Sequence, residues 1–387
     1  MLVSVYSFWF LFLPGTFHAK DNRFPFYNIG YSEYYIIKGL VVGFVFYLMF
    51  FVGYCFFKRG VDLCGRGSLT LGRHNNKTIS FIVFSFLFQV FYIAQNGLSQ
   101  FLLMRSELSI IDDGGSLLMF DFARSLSFVT VFFSLFLSFY NRSFLKYLTS
   151  FISIILFLII DFPLALPRYQ IFGFIIVLYI HSNGLSYLYK ASLGILFGVG
   201  VFTIFPLMSY LTRNKGGVDD MTVLESYKSS GDFDGLQSII NVVKYTDTIG
   251  YSWGKQMLSN LFAFVPRSIW EGKKQPTGVY TAEFARYDFN NISAPLASEF
   301  YSDFGLWGAV FGGVLFGVFC KAVDAGFKKS ICMNKLSYMY GCALVFSSMA
   351  IILSRGSLMG VINAFYITLF LFSLFKFLLS NTKLRFL

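Results

Sequence analysis

What most constrains this chain is a series of nine long apolar runs, near residues 34 to 57, 79 to 95, 117 to 139, 145 to 160, 171 to 189, 191 to 210, 304 to 323, 337 to 353 and 358 to 379. A helix rising about 1.5 Å per residue crosses about 30 Å of hydrocarbon in roughly 20 residues, so these runs have the length of membrane-spanning helices. Hydrophobic residues make up 56% of the 387 and charged residues only 13%, against roughly 25% charged in soluble domains. A water-soluble fold has nowhere to bury that much apolar surface. A tenth run, Met1 to Leu13, lacks the basic opening of a signal peptide and reads as a short or truncated first helix that stops at Pro14-Gly15. The expected fold is an all-α polytopic membrane protein with about ten transmembrane helices.

Direction follows from Lys and Arg in the connections, because short cytoplasmic loops retain positive charge. One alternate set of connections holds fourteen, from the cluster Lys58, Arg59, Arg66, Arg73 and Lys77 to Lys383 and Arg385. The short loops of the other set hold five: Lys20, Arg23, Arg105, Arg168 and Arg355. Both termini are therefore expected in the cytoplasm and residues 211 to 303 outside it. The chain divides into helices and short loops over 1 to 210, one long periplasmic loop over 211 to 303, and further helices with a cytoplasmic end over 304 to 387. The net charge of +11 is then a topology signal, and no nucleic acid partner is expected. The long loop holds none of the five cysteines, so no disulfide framework or zinc site is expected there, and packing must hold it in place.

A loop of this length among short connections is a functional element. Two short amphipathic helices are expected in it, near 232 to 246 and 254 to 264, the second ending before Pro266. In the run that follows, Gly308, Gly312, Gly313 and Gly317 form four-residue spacings that let another helix approach closely. No internal repeat of the kind that builds inverted-repeat transporters is evident.

The segment Phe264-Val-Pro-Arg-Ser-Ile-Trp270-Glu-Gly-Lys273-Lys-Gln-Pro276, the segment Ser293-Ala-Pro-Leu-Ala-Ser-Glu299-Phe-Tyr-Ser-Asp303-Phe-Gly305, and Ser354-Arg355-Gly356-Ser357 resemble bacterial O-antigen polymerases of the Wzy type. Arg267 and Gly278, with ten residues between them, look like the RX10G element of some members. The resemblance covers the plan of the whole chain, with local motifs in about 50 residues. It implies a GT-C-like glycosyltransferase in the bacterial inner membrane. This would join undecaprenyl-diphosphate-linked repeat units at the periplasmic face, alongside membrane lipid and a chain-length regulator of the pathway. Such a reaction needs no nucleotide, and no Walker or dinucleotide motif occurs, so no cofactor is expected.

The chemistry asks for cations at a departing diphosphate, an acceptor groove, and a base for the attacking hydroxyl. Arg267 is the first choice for the diphosphate, since a planar guanidinium grips two phosphate oxygens at once; its alternative is a snorkelling interfacial arginine. Arg355 lies in a very short outer turn and could reach the same place, or could simply anchor a helix end. Arg124 falls about seven residues into its run, with Asp121 on the same helical face as the expected ion-pair partner. Lys38 lies just inside the outer end of its run, as a second cation or an anchor. Trp270 supplies an aromatic face for sugar, with Tyr251, Trp253, Tyr280, Tyr287 and Tyr301, all equally suited to an interfacial belt.

No His lies in the long loop, which departs from the outer-loop histidine of O-antigen ligases. Glu299 or Asp303 becomes the candidate base, unless leaving-group stabilisation suffices or these carboxylates cap the helix beginning near Phe304. Asp232 and Asp234 form a D-x-D spacing read as a capping or solvated turn. A flippase of lipid-linked oligosaccharide is the rival function, disfavoured by the long outer loop. An acyltransferase would want a membrane-embedded base that is not evident.

Overall fold

The computed structural model describes residues 2–27, 29–56, 76–102, 114–140, 143–162, 192, 195, 198–200, 230–290, 292–332 and 338–379, and every regular element among them is helical. These are α1 (Leu2–Ser7), a π-helical turn (Phe8–Phe12), α2 (Leu13–Asp21), α3 (Glu33–Phe56), α4 (Asn76–Asn96), α5 (Leu98–Phe101), α6 (Gly114–Tyr140) and α7 (Phe144–Ile160). After a 3₁₀ turn (Gly231–Phe233) come α8 (Gly235–Ile249), α9 (Lys255–Leu261), α10 (Thr277–Phe284), α11 (Leu296–Cys332), α12 (Tyr338–Arg355) and α13 (Met359–Leu379). Among the described residues, two helices are long and apolar enough to cross a membrane, Glu33–Phe56 and Leu296–Ser330. The expected runs at 171 to 189 and most of 191 to 210 lie outside the described residues.

The chain forms two compact units, one of Met1–Lys58, Leu185–Ala322 and Met349–Ile362, the other of Arg59–Gly184, Val323–Ser348 and Asn363–Leu387. They do not follow the linear divisions at 210 and 303, because the long loop folds back onto helices from both ends of the chain.

In the first unit, α3 and α11 approach through glycine. A Cβ on Gly313 would strike the Phe46 carbonyl, one on Gly317 the Phe50 carbonyl, and one on Gly53 the Val314 carbonyl. The glycine spacing is therefore a packing face, with backbone against backbone. α11 starts eight residues before the expected run and breaks at Phe304 and Gly305. Gly305 has φ 61 and ψ −142, a conformation essentially confined to glycine. The chain reverses there, since Phe300 lies against both Gly308 and Gly312.

The first helical run does not stop at Pro14-Gly15 as expected but continues to Asp21. The wide π turn just before Pro14, where Leu13 N–H donates to the Phe8 carbonyl, shifts the backbone register that a proline ring would otherwise obstruct. Gly15 is kept small by Leu236 of α8, 3.3 Å from where its Cβ would lie.

α8 was expected as an amphipathic loop helix near 232 to 246, and it forms; yet Gly235 through Val243 are all buried. Ile240 fits against Gly39, Ile239 against Gly43, and Gly235 against Leu11 and the Phe10 carbonyl. Gly43 lies ten residues along α3 from Glu33, about 15 Å down its axis. The start of α8 thus descends between α3 and the first helical run instead of resting on their ends.

The second unit joins α4, α6, α7 and the parts of α12 and α13 that belong to it. Phe133 meets Phe375 at 3.6 Å between ring centroids, and Phe81 meets the same ring at 5.0 Å. α6 and α7 approach through small residues, with the Ser150 hydroxyl donating to the Ser134 carbonyl at 2.8 Å.

Candidate functional site

Six of the seven candidate residues fall in the first unit, and two of them, Arg355 and Glu299, belong to two buried carboxylate nodes. Asp234 is fully buried. It accepts from the Ser293 backbone N–H at 3.1 Å and from the Ser293 hydroxyl. Arg355 meets this node: its Nη1 donates to Asp232 at 3.3 Å, its Nη2 to the Gly231 carbonyl at 2.6 Å, and its Nε lies 3.5 Å from Asp234. The D-x-D pair is therefore neither solvated nor a simple cap. Its two carboxylates hold one arginine.

Glu299 makes the second node. Its side chain is fully buried. One oxygen accepts from the Asn260 amide at 2.9 Å and from the Thr277 hydroxyl; the other accepts from the Ser357 hydroxyl at 3.0 Å and the Leu358 N–H at 3.1 Å. Four donors from α9, α10 and the turn between α12 and α13 thus converge on one carboxylate. Backbone joins the two nodes, because Ala294 N–H donates to the Arg355 carbonyl at 2.9 Å. The Ser-Arg-Gly-Ser turn is held on both sides.

Asp303 accepts from the N–H groups of Gln256 at 3.1 Å and Met257 at 2.8 Å. It caps α9, whose own N-cap residue is Gly254 and offers no side chain. The expectation that it would cap the helix beginning near Phe304 is corrected: the reversal at Gly305 leaves Asp303 at the end of a helical segment, facing α9. Beyond the other end of α9, Lys273 Nζ donates to the carbonyls of Ala263 at 2.6 Å and Val265 at 2.8 Å. Burial lowers the Lys273 ammonium below its ordinary range, and the positive charge of Arg267 lowers it further.

Lys38 reaches both carboxylate oxygens of Asp247 at 2.7 Å and the Tyr34 hydroxyl at 3.1 Å, tying α3 to the end of α8. Within the buried part of α8, Gln237 and Asn241 donate to the Tyr287 hydroxyl at 3.2 and 3.0 Å, and Tyr31 donates to Asn241 at 2.8 Å. This amide and phenol network escaped sequence reading, since its members lie about 50 to 210 residues apart. Trp270 is half-buried in the turn after Pro266, its N–H donating to the Pro266 carbonyl at 3.1 Å. Arg267 is exposed, and no hydrogen bond or ion pair engages it among the described residues.

Arg124 belongs to the second unit. Its Nε donates to Asp161 at 2.7 Å, and its guanidinium lies 4.8 Å from the Phe120 ring centroid. The charge of Arg124 acts on Asp121, the expected partner, as well as on Asp161. Asp161 caps the end of the neighbouring helix α7, which brings its carboxylate across to Arg124 as the hydrogen-bonded partner; the signal available in the sequence was a lone acid directly after an apolar run. With side-chain exposures of 21% and 8%, the pair is enclosed. Arg124→Ala is expected to lower protein stability by about 3 kcal/mol by stranding Asp161, and the double change with Asp161→Asn to recover at least half of that. Purely additive losses in a thermal-melt cycle would show that the two side chains are not coupled.

Comparisons with protein-family profiles, with curated proteins and with solved structures found no match to this chain.

Proposed function

We propose that the chain is a polytopic inner-membrane glycosyltransferase of the O-antigen polymerase type, with about ten spans and the 211 to 303 loop on the periplasmic side. It would transfer a glycan from undecaprenyl diphosphate to a hydroxyl of the next lipid-linked repeat unit. The observation that carries this reading is the contrast among its candidate cations. Lys38, Arg124 and Arg355 are each held by carboxylates, whereas Arg267, in the motif-bearing segment beside Trp270, is exposed on a loop that buried polar nodes hold in place.

A diphosphate leaving group needs a cation that no carboxylate neutralises, and Arg267 fits that need. Glu299 has both oxygens engaged, so stabilisation of the departing diphosphate carries more of the catalysis than proton removal. A bidentate, charge-assisted contact contributes about 2 to 3 kcal/mol, or roughly 30- to 150-fold in rate if it strengthens in the transition state. Arg267→Ala is therefore expected to abolish long O-antigen at wild-type protein abundance, and Arg267→Lys, which keeps charge without the fork, to leave sparse chains. Full-length polymer from the alanine variant would remove Arg267 from the site.

The rival reading, export of lipid-linked oligosaccharide, draws support from the enclosed Arg124 and Asp161 pair, since buried ion pairs in membrane helices often line transport paths. The lipopolysaccharide of a deletion strain separates the two. Single-repeat caps on intact core support polymerisation, and complete loss of the repeat supports export.

A further inference from the structure

α9 is built inside out for a helix facing water. Its polar residues Gln256, Ser259 and Asn260 are buried, with Asn260 turned onto Glu299, while Leu258 and Leu261 are 49% and 46% exposed. The segment that follows continues the pattern, with Phe262 at 45%, Phe264 at 51% and Ile269 at 77% exposure. Five large apolar side chains within twelve residues thus face outward around Arg267, with Lys255 also exposed. Such a patch on a soluble surface would call for a partner.

A second apolar face begins beside the start of α9, where Phe304 lies against Trp253 and Gly254. Along α11 the glycines pack inward, and Trp307, Phe311, Leu315 and Phe319 point outward, four residues apart, each between 39% and 69% exposed. Phe304 begins this stripe, and Trp253, itself 73% exposed, meets the Phe304 ring at 6.4 Å beside the start of α9. The helix carrying the stripe is long and apolar enough to cross a membrane. Apolar side chains are thus exposed along α11, at Trp253 before the start of α9 and along the α9 segment, where two exposed cations join them. Apolar side chains edged by Lys and Arg suit the boundary between acyl chains and anionic headgroups.

We infer that residues 258 to 269 are inserted into the outer leaflet of the bilayer, and that this insertion holds Arg267 at the level of the lipid phosphates. The inference rests on the membrane reading above and deepens it: the loop reaches its substrate from within the lipid surface. Pinning of α9 by Asp303 at one end and Lys273 beyond the other fixes which side chains enter the leaflet.

Site-directed spin labels test this in full-length protein reconstituted into vesicles of phosphatidylethanolamine and phosphatidylglycerol. Labels replace Phe262, Phe264 or Ile269, with Phe44 and Phe311 as lipid-facing references and Glu271 and Asp288 as aqueous ones. Collisions with oxygen are expected to exceed those with a water-soluble nickel chelate at the three loop positions, as at Phe44 and Phe311, with the ratio reversed at Asp288. Nickel-dominated collisions at the loop positions, with oxygen-dominated ones at Phe44 and Phe311, would overturn the inference and leave the membrane reading standing. Nickel-dominated collisions at Phe44 and Phe311 as well would overturn both. Low collision rates with both reagents, together with spin–spin broadening, would place a second copy of the chain on the patch and equally overturn it. An unlabelled control uses brominated lipid: Trp253→Phe is expected to remove a quenched part of the tryptophan fluorescence, and no change in the quenched fraction would count against insertion.

Discussion

Arg355→Ala is expected to cost about 3 to 5 kcal/mol of stability, seen as a lower melting temperature in detergent and several-fold less protein in the membrane. The cause is the pair of carboxylates it leaves behind. Asp234 is fully buried and Asp232 nearly so, and removing the guanidinium that contacts both of them strands charge in a low-dielectric setting, where truncating one partner is far costlier than the net worth of the pair. Arg355→Lys keeps the charge but cannot serve Asp232, the Gly231 carbonyl and Asp234 together, so an intermediate loss is expected. Adding Asp234→Asn to the alanine variant should restore part of the stability. An Arg355→Ala protein with wild-type melting behaviour and no activity would return this arginine to the substrate. The contrast with Arg267→Ala, expected to spare the fold and remove activity, separates a cation used for architecture from one left for chemistry.

Glu299→Ala should be of similar size. Two of its four donors, the Thr277 and Ser357 hydroxyls, can rotate to other acceptors, but the Leu358 N–H and the Asn260 amide are fixed by backbone and packing. Each buried donor left unmet costs about 1 to 3 kcal/mol, so a loss of about 2 to 6 kcal/mol follows. Glu299→Gln preserves shape and one acceptor oxygen while turning an NH₂ toward existing donors, and about 1 to 3 kcal/mol is expected. Activity per folded molecule should survive the glutamine change in part. Its complete loss at an unchanged melting temperature would instead make Glu299 the base.

The helices themselves were legible. The runs near 34 to 57, 79 to 95, 117 to 139, 145 to 160 and 358 to 379 match α3, α4, α6, α7 and α13 to within about three residues, because a helix needs only local hydrogen bonds and an apolar sequence of sufficient length. Both short loop helices were visible for the same reason, and the spacing of Gly308, Gly312, Gly313 and Gly317 announced a close approach without naming its partner. Pro14 misled, since a proline stops a regular helix and the π turn that accommodates it has no sequence signature of comparable strength.

Pairing was not legible. Three residues of helix bring Asp121 and Arg124 to one face and their charges do interact, yet the carboxylate that Arg124 hydrogen-bonds came from 37 residues away. Arg355 found Asp232 and Asp234 from 123 and 121 positions back, and Glu299 drew donors from α9, α10 and the last turn. By itself the sequence determined where α3, α4, α6, α7 and α13 lie and which residues carry charge, both properties of short windows. Only the tertiary structure decided which charges are used up in holding the fold and which is left facing outward, because a buried charge takes its partner from whatever the packing of distant helices sets beside it.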